Sequence, residues 1–172
     1  QLFDAYGNPK TDYSGDLYFT SSDPIADVPY DAGSPFAYLP GSNSKTFDGS
    51  GFSLKTGGLQ TITATNGTVS ETSSGIQVLG GPIDAFSFAS VPTRTAGSSF
   101  NLQIAGAVDF YGNAANDSIT ISGFQNTGAS PNGQTPIFNT IVVNNGSGSA
   151  SQNLFTASSD VILRGTPTGA QT

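Results

Sequence analysis

The sequence predicts an all-β protein built from two tandem β-sandwich modules, and three observations lead to that prediction. Its apolar residues, mainly Val, Ile, Leu, Phe and Tyr, alternate with Ser and Thr as they do in half-buried strands. Turn-forming Gly, Asn, Asp and Pro recur at short intervals, and no stretch has the periodicity of a long helix. One motif also occurs twice, because Phe3-Asp4-Ala5-Tyr6-Gly7-Asn8 returns as Val108-Asp109-Phe110-Tyr111-Gly112-Asn113.

The first module spans residues 1–80, and its strands are predicted from short apolar runs between turns. Asn66-Gly67 is the strongest two-residue hairpin signal in the chain. The region 25–51 is rich in Pro, Asp, Gly and Ser, which predicts loops with one or two brief strands. The predicted strands are 16–20, 52–54, 60–65, 68–70 and 75–79.

The second module spans residues 81–172, and Gly80-Gly81-Pro82 marks the boundary before it. A loop-rich region is predicted at 123–136. The Gly, Ser and Asn content of 144–151 predicts a flexible loop there. The predicted strands are 85–88, 99–104, 119–121 and 137–143.

Composition excludes several classes of function. The net charge is −7 and Lys and Arg form no cluster, which argues against nucleic-acid binding. No apolar run reaches the roughly 18 residues of a membrane span, so membrane insertion is not expected. The chain has no His and no Cys, which removes the usual catalytic triads and His-bearing metal sites, so we expect no enzyme activity.

The absence of Cys and Met in a chain rich in Thr and Asn is typical of secreted prokaryotic surface proteins, where thiols are a hazard. We therefore expect an extracellular or cell-surface location. The chain opens on Gln1, which suggests a processed or excised segment.

Two groups of oxygen-bearing side chains surround the repeated motif and form candidate Ca²⁺ sites. Ca²⁺ prefers six to eight oxygen ligands, which turns rich in Gly and Asn supply readily. The alternative is that these Asp and Asn residues cap the turns through their own hydrogen bonds. No cofactor follows with certainty, and both interpretations stay open. The candidate ligands are Asp4, Asn8, Asp12 and Asp16 in the first module, and Asp109, Asn113, Asn116 and Asp117 in the second.

Aromatic side chains in the loops of the first module are a third candidate site, because aromatic rings can stack on sugars. The alternative is that they lie at the edge of the core. The residues concerned are Tyr6, Tyr13, Tyr30, Phe36 and Tyr38.

Several segments resemble the bacterial immunoglobulin-like repeats that occur in tandem in large secreted adhesins and surface proteins. The resemblance lies in residues 4–8, 13–24 and 54–65, and in the module start at 80–86 and 95–100. It implies two immunoglobulin-like β-sandwiches that act as scaffolds. Within that pattern a strand A and most of a strand B precede the Asp-x-x-Gly-Asn turn, so the first module lacks its opening strands. The second module departs from the pattern after Gly123 and stops before its closing strand.

Missing strands leave open sheet edges, which proteins normally protect. Either the chain is a piece of a longer array, or neighbouring copies complete its edges with their own strands. The partner segments expected for such contacts are residues 1–3 and 161–172. The sequence thus predicts a non-catalytic structural repeat unit of an extracellular surface protein, filament, sheath or adhesin that assembles head to tail with other copies. The alternative is a Ca²⁺-stabilised or carbohydrate-binding adhesion module directed at surface glycans.

Overall fold

The structure, a computed structural model, describes residues 1–47 and 51–169. These residues form twelve strands and no helix, so the predicted all-β class is confirmed. None of them belongs to a helix that could cross a membrane. The chain divides into two compact units, unit 1 (Gln1–Val78) and unit 2 (Leu79–Thr172), which are described separately.

Unit 1 contains a four-stranded antiparallel sheet and a two-stranded one. The larger sheet has the order β2-β1-β4-β5, and β1, one of its two inner strands, begins right after the turns of residues 4–14. The smaller sheet pairs β3 with β6. The strands are β1 (Gly15–Ser21), β2 (Phe36–Tyr38), β3 (Gly58–Gln60), β4 (Ile62–Thr65), β5 (Ser70–Thr72) and β6 (Ile76–Val78).

Aromatic rings hold one face of this sheet together. Phe19 on β1 packs edge to face against two other rings, with centroid distances of 5.1 Å to Phe47 and 5.2 Å to Phe52. Tyr30 and Phe36 continue the cluster at 5.4 Å from each other. Each such pair contributes about 0.5–1.5 kcal/mol beyond area burial. These five aromatic side chains are only half-buried, so unit 1 presents its aromatic face partly to solvent.

Unit 2 contains two three-stranded antiparallel sheets, of order β11-β8-β7 and β10-β9-β12. Their strands are β7 (Ala85–Phe88), β8 (Ser99–Val108), β9 (Asp117–Gln125), β10 (Ile141–Val143), β11 (Gly148–Asn153) and β12 (Ile162–Pro167). On β8, buried Phe100, Leu102 and Ile104 alternate with exposed residues, as expected of a strand with one face inside.

The core of unit 2 draws side chains from both sheets, which makes the unit sandwich-like. Ile104 of β8, Ile119 of β9 and Ile141 of β10 are fully buried and belong to one cluster. Complete burial of each such side chain is worth about 1.5–3 kcal/mol. Partly buried Phe86 and Leu163 pack against the same cluster from β7 and β12.

The structure corrects the prediction of a flexible loop at 144–151. Asn144 and Ser147 exchange backbone hydrogen bonds around Asn145 and Gly146, whose φ angles are 48° and 77°. Positive φ at both central residues is the geometry of a type I′ hairpin, which Asn-Gly favours because its twist matches that of the strands. The prediction of a flexible loop was wrong because it followed the Gly, Ser and Asn content of the segment and overlooked the Asn-Gly turn signal.

Two other predicted strands are shorter than expected. The strand predicted at 137–143 is reduced to β10, because the amide of buried Gln152 hydrogen-bonds both the N–H and the C=O of Asn139. The strand predicted at 52–54 is a single bridge between Ser53 and Asp27.

Candidate functional site

The repeated Asp-x-x-Gly-Asn motif forms the same carboxylate-capped turn in both units. In unit 1, Oδ1 of Asp4 accepts the backbone N–H of Tyr6 at 2.9 Å and that of Asn8 at 2.8 Å. The side-chain amide of Asn8 donates to the other oxygen at 3.0 Å. Gly7 has φ of 82°, a conformation that L side chains rarely adopt, which explains the Gly of the motif.

In unit 2 the same three hydrogen bonds have the same lengths. Oδ1 of Asp109 accepts the N–H of Tyr111 at 2.9 Å and of Asn113 at 2.8 Å, and the Asn113 amide donates to Oδ2 at 3.0 Å. Gly112 has φ of 83°. In both units, the two oxygens of the Asp carboxylate therefore accept hydrogen bonds from N–H groups of the same turn.

The two turns differ in one additional partner. Oδ2 of Asp109 also accepts the N–H of Gly81 at 2.9 Å, and this carboxylate is buried at 6% exposure, whereas Asp4 is exposed. Burial alone would raise the pKa of Asp109, but the hydrogen bonds from Gly81, Asn113 and Tyr111 outweigh it and lower the pKa. Hydrogen bonds from Asn8 and Tyr6 likewise lower the pKa of Asp4.

The remaining candidates of the first module do not join Asp4 and Asn8 in one set. Asp12 pairs with Lys10 at 2.9 Å, which lowers the Asp12 pKa. Asp16 is exposed on β1. Across residues 1–47 and 51–169, no three His, Cys, Asp or Glu side chains form a group that could hold a metal ion.

The remaining candidates of the second module hold the segment 80–83, which we call the entry segment. The Asn116 amide donates to the Gly80 carbonyl at 3.1 Å, and its oxygen accepts the N–H of Asn145 at 3.0 Å. Asp117 accepts the N–H of Ile83 and also that of Gly169, which lies just beyond β12. Together with Asp109, these side chains hold the entry segment against the rest of unit 2 through hydrogen bonds.

A further carboxylate, Asp23, accepts several hydrogen bonds, whereas the sequence indicated only that Asp23, Asp27 and Asp31 form an acidic loop with a weak claim to Ca²⁺. Asp23 is buried, and its oxygens accept the N–H groups of Ile25, Lys55 and Thr56 as well as the Thr56 hydroxyl. Burial would raise the pKa of Asp23, but these hydrogen bonds, from Thr56 first, hold it far below its usual range. The sequence Ser21-Ser22-Asp23-Pro24 indicates only a turn, because the donors come from a distant part of the chain.

Most of the candidate sugar-stacking aromatics pack against one another. Tyr13 and Tyr38 meet edge to face at 5.9 Å, and Tyr30 and Phe36 belong to the aromatic cluster of unit 1. Tyr6 differs, because it lies at the tip of its turn with 91% of its surface exposed.

Unit 2 also contains an apolar cleft of about 720 Å³ beside β12. It is lined by the apolar side chains of Phe88, Phe100, Leu102 and Leu163 and by several Ser and Thr residues. Among its described lining residues the only charged side chain is Arg94, so these residues supply no pair of carboxyl groups for acid–base chemistry.

Comparison with protein-family models, with curated proteins and with solved structures finds no match to this chain.

Proposed function

We propose that this chain is a non-catalytic structural repeat unit of an extracellular surface protein, filament, sheath or adhesin. Its two units act as immunoglobulin-like modules that join further copies head to tail through β-strand contacts. The observation that carries the proposal is the repeated turn, whose carboxylates bind backbone N–H groups. In unit 2 that carboxylate fastens the entry segment, which is a structural task.

The arrangement of strands supports a repeated module. In each unit the strand that follows the Asp-x-x-Gly-Asn turn is central to an antiparallel sheet, and the orders β2-β1-β4 and β10-β9-β12 correspond. In unit 2 the second sheet, β11-β8-β7, faces the first across a common core, which is the arrangement that an immunoglobulin-like sandwich requires.

Composition supports the extracellular assignment, because a chain without Cys or Met is insensitive to thiol and thioether oxidation. The charge of −7 with few cations favours protein partners over nucleic acids.

Sedimentation velocity over a wide concentration range tests the assembly. We expect species that grow with concentration without stopping at a dimer, because head-to-tail contacts that do not close can propagate. A monomer at every concentration would rule out head-to-tail assembly of this chain.

Melting curves with Ca²⁺ and with a chelator, together with a glycan array, test the competing adhesion module. The structural proposal expects the same melting temperature in both conditions and no glycan signal. A melting temperature that rises with Ca²⁺, or a defined bound sugar that is lost in Tyr6→Ala, would favour the adhesion module instead.

A further inference from the structure

The apolar cleft of unit 2 lies at the end of the unit that is opposite to the entry segment. Strand β8 runs between the two places, because Phe100 near its start lines the cleft and Asp109 just after its end accepts the N–H of Gly81. A molecule in the cleft would therefore leave the hydrogen bonds of the entry segment intact.

Two loops form the walls of the cleft and leave apolar side chains in contact with water. One loop connects β7 with β8, the other connects β11 with β12, and the N–H of Gly97 joins them by donating to the Leu154 carbonyl at 2.7 Å. Val91 in the first loop is 40% exposed, and Ile162 after the second is 43% exposed. A ligand that covered these side chains would gain free energy from the apolar surface removed from water.

Arg94 gives the cleft a single positive charge that the protein does not use. No hydrogen bond or ion pair joins Arg94 to another described residue. The other four cations of the chain all have partners, because two form ion pairs and two lie over aromatic rings: Lys10 with Asp12, Lys55 with Asp27, Lys45 with Phe36 and Arg164 with Phe124. The cleft thus combines an apolar lining with a cation that is open to an anion from outside.

The acidic residue of the second loop does not neutralise this cation. Asp160 is absent from the described lining of the cleft. Its carboxylate accepts the side-chain amides of Gln125 at 2.7 Å and Asn126 at 2.8 Å, and also the hydroxyl of Ser158 at 3.1 Å. These hydrogen bonds hold the Asp160 carboxylate at the end of β9.

The apolar side chains of the cleft suit an alkyl chain better than a peptide. Phe88, Leu102 and Leu163 offer contacts but have no hydrogen-bonding groups in their side chains. A buried peptide would need partners for its N–H and C=O groups, because a polar group buried without a hydrogen bond is costly. An alkyl chain needs no such partner. The volume of about 720 Å³ also lies in the range of small-molecule sites, roughly 300–1,000 Å³.

We propose that the cleft binds an alkyl carboxylate, whose chain packs against Phe88 and Leu163 and whose carboxylate pairs with Arg94. The planar guanidinium can donate two parallel hydrogen bonds to a carboxylate, which fixes the orientation of the ligand. Thr93 and Thr95 flank Arg94 and also line the cleft, so their hydroxyls supply further donors. This binding role goes beyond the structural function proposed above and does not depend on head-to-tail assembly.

Calorimetric titration of the whole chain with hexanoate, octanoate and decanoate, each below its critical micelle concentration, tests the apolar part of the site. Complete burial of one CH₂ group tightens binding about fourfold, so each two-carbon step should lower the Kd roughly five- to fifteenfold at one site per chain. An affinity that is independent of chain length, or no binding of decanoate, would overturn the proposal.

A pair of Arg variants tests the charge. Arg94→Gln should weaken octanoate binding by roughly tenfold or more and should leave the binding of octanol, which has the same chain length and no charge, unchanged. The matched control is Arg164→Gln, because Arg164 lies over Phe124 and does not line the cleft, and it should bind octanoate as the unsubstituted chain does. Equal losses of affinity in the two variants would contradict pairing with Arg94.

Methyl NMR locates the ligand in the chain that binds it. Decanoate should shift the methyl signals of Leu102 and Leu163 and leave that of Val142, which is exposed on β10, unchanged. Shifts confined to other parts of the chain would refute the site. A tri-leucine peptide with an acetylated amino terminus carries the same charge on a peptide backbone, and tighter binding of this peptide than of decanoate would overturn the assignment of an alkyl chain.

Discussion

Single carboxylates act as acceptors for backbone N–H groups in both units, and this role explains most of their contacts. Asp23 gathers the N–H groups of Lys55 and Thr56, and Asp109 gathers those of Gly81 and Asn113. Asp23 thereby joins its turn to residues 55–56, and Asp109 joins its turn to the entry segment. A buried carboxylate is costly unless it is hydrogen-bonded in this way, so its donors and its charge stabilise each other.

Asp23→Asn should destabilise unit 1 by about 2–4 kcal/mol. The Asn side chain carries no charge, and its NH₂ group cannot accept the hydrogen bonds that one carboxylate oxygen accepts. The matched control is Asp16→Asn, whose side chain is exposed on β1. Hydrogen exchange at the amides of Lys55 and Thr56 measures the effect, and we expect faster exchange only in Asp23→Asn. Equal protection in the two variants would show that the Asp23 hydrogen bonds contribute nothing.

The lowered pKa of Asp109 predicts a specific pH dependence of unit 2. A folded-state pKa below the unfolded value of about 3.9 means that the carboxylate stabilises the fold above that pH and loses the effect as pH falls through the folded pKa. Stability should therefore decline in acid below about pH 4. Asp109→Asn should flatten this decline, and exposed Asp84→Asn should not. Urea denaturation at several pH values decides between these outcomes.

Among the elements, sequence predicted those with a clear alternation or turn motif. Strand β8 was foreseen because apolar residues alternate over its length, and the two Asp-x-x-Gly-Asn turns because the motif is repeated. Strand β11 was missed because its inward residues are Gly148, Ala150 and Gln152, which do not form an apolar pattern. Whether Asp109 binds a cation or N–H groups could not be predicted, since Gly81 comes near it only in the folded unit.

The entry segment provides a matched pair of glycines. A Cβ on Gly80 would lie 2.0 Å from the carbonyl oxygen of Ala114, whereas one on Gly81 would have its nearest contact at 3.7 Å, with Asp109. We expect Gly80→Ala to cost unit 2 about 1–3 kcal/mol, because the backbone must move to relieve the clash. Gly81→Ala keeps its N–H and should change stability by less than about 0.5 kcal/mol. Chemical denaturation of the two variants measures the difference, and equal stabilities would contradict the geometry of the entry segment.

At the level of the whole molecule, the two units have unequal cores. The buried apolar cluster of unit 2 draws on both of its sheets, whereas Tyr38 is the buried apolar residue in the described part of unit 1. Aromatic packing at half-burial compensates only in part, because hydrophobic stabilisation follows the area removed from water.

Unit 1 should therefore open before unit 2 unfolds. Native-state hydrogen exchange tests this expectation, with the slowest amides in β8 and β9 and the fastest strand amides in β5 and β6. A single common opening free energy for all strands would contradict it.

The carboxylate of Asp117 accepts hydrogen bonds from the N–H groups of both Ile83 and Gly169. The first and last described segments of unit 2 therefore lie side by side. A Cβ on Gly169 would lie 2.9 Å from that of Pro82. The six strands of unit 2 could consequently be connected in a different sequence order without a change in their positions. A circular permutant of unit 2, closed by a short linker from Gly169 to Pro82 and opened in the exposed loop near Asn132, should keep every strand pair and lose only the hydrogen bonds of Gly80 and Gly81. We therefore expect the architecture of unit 2 to depend on its contacts and not on the point at which its chain begins.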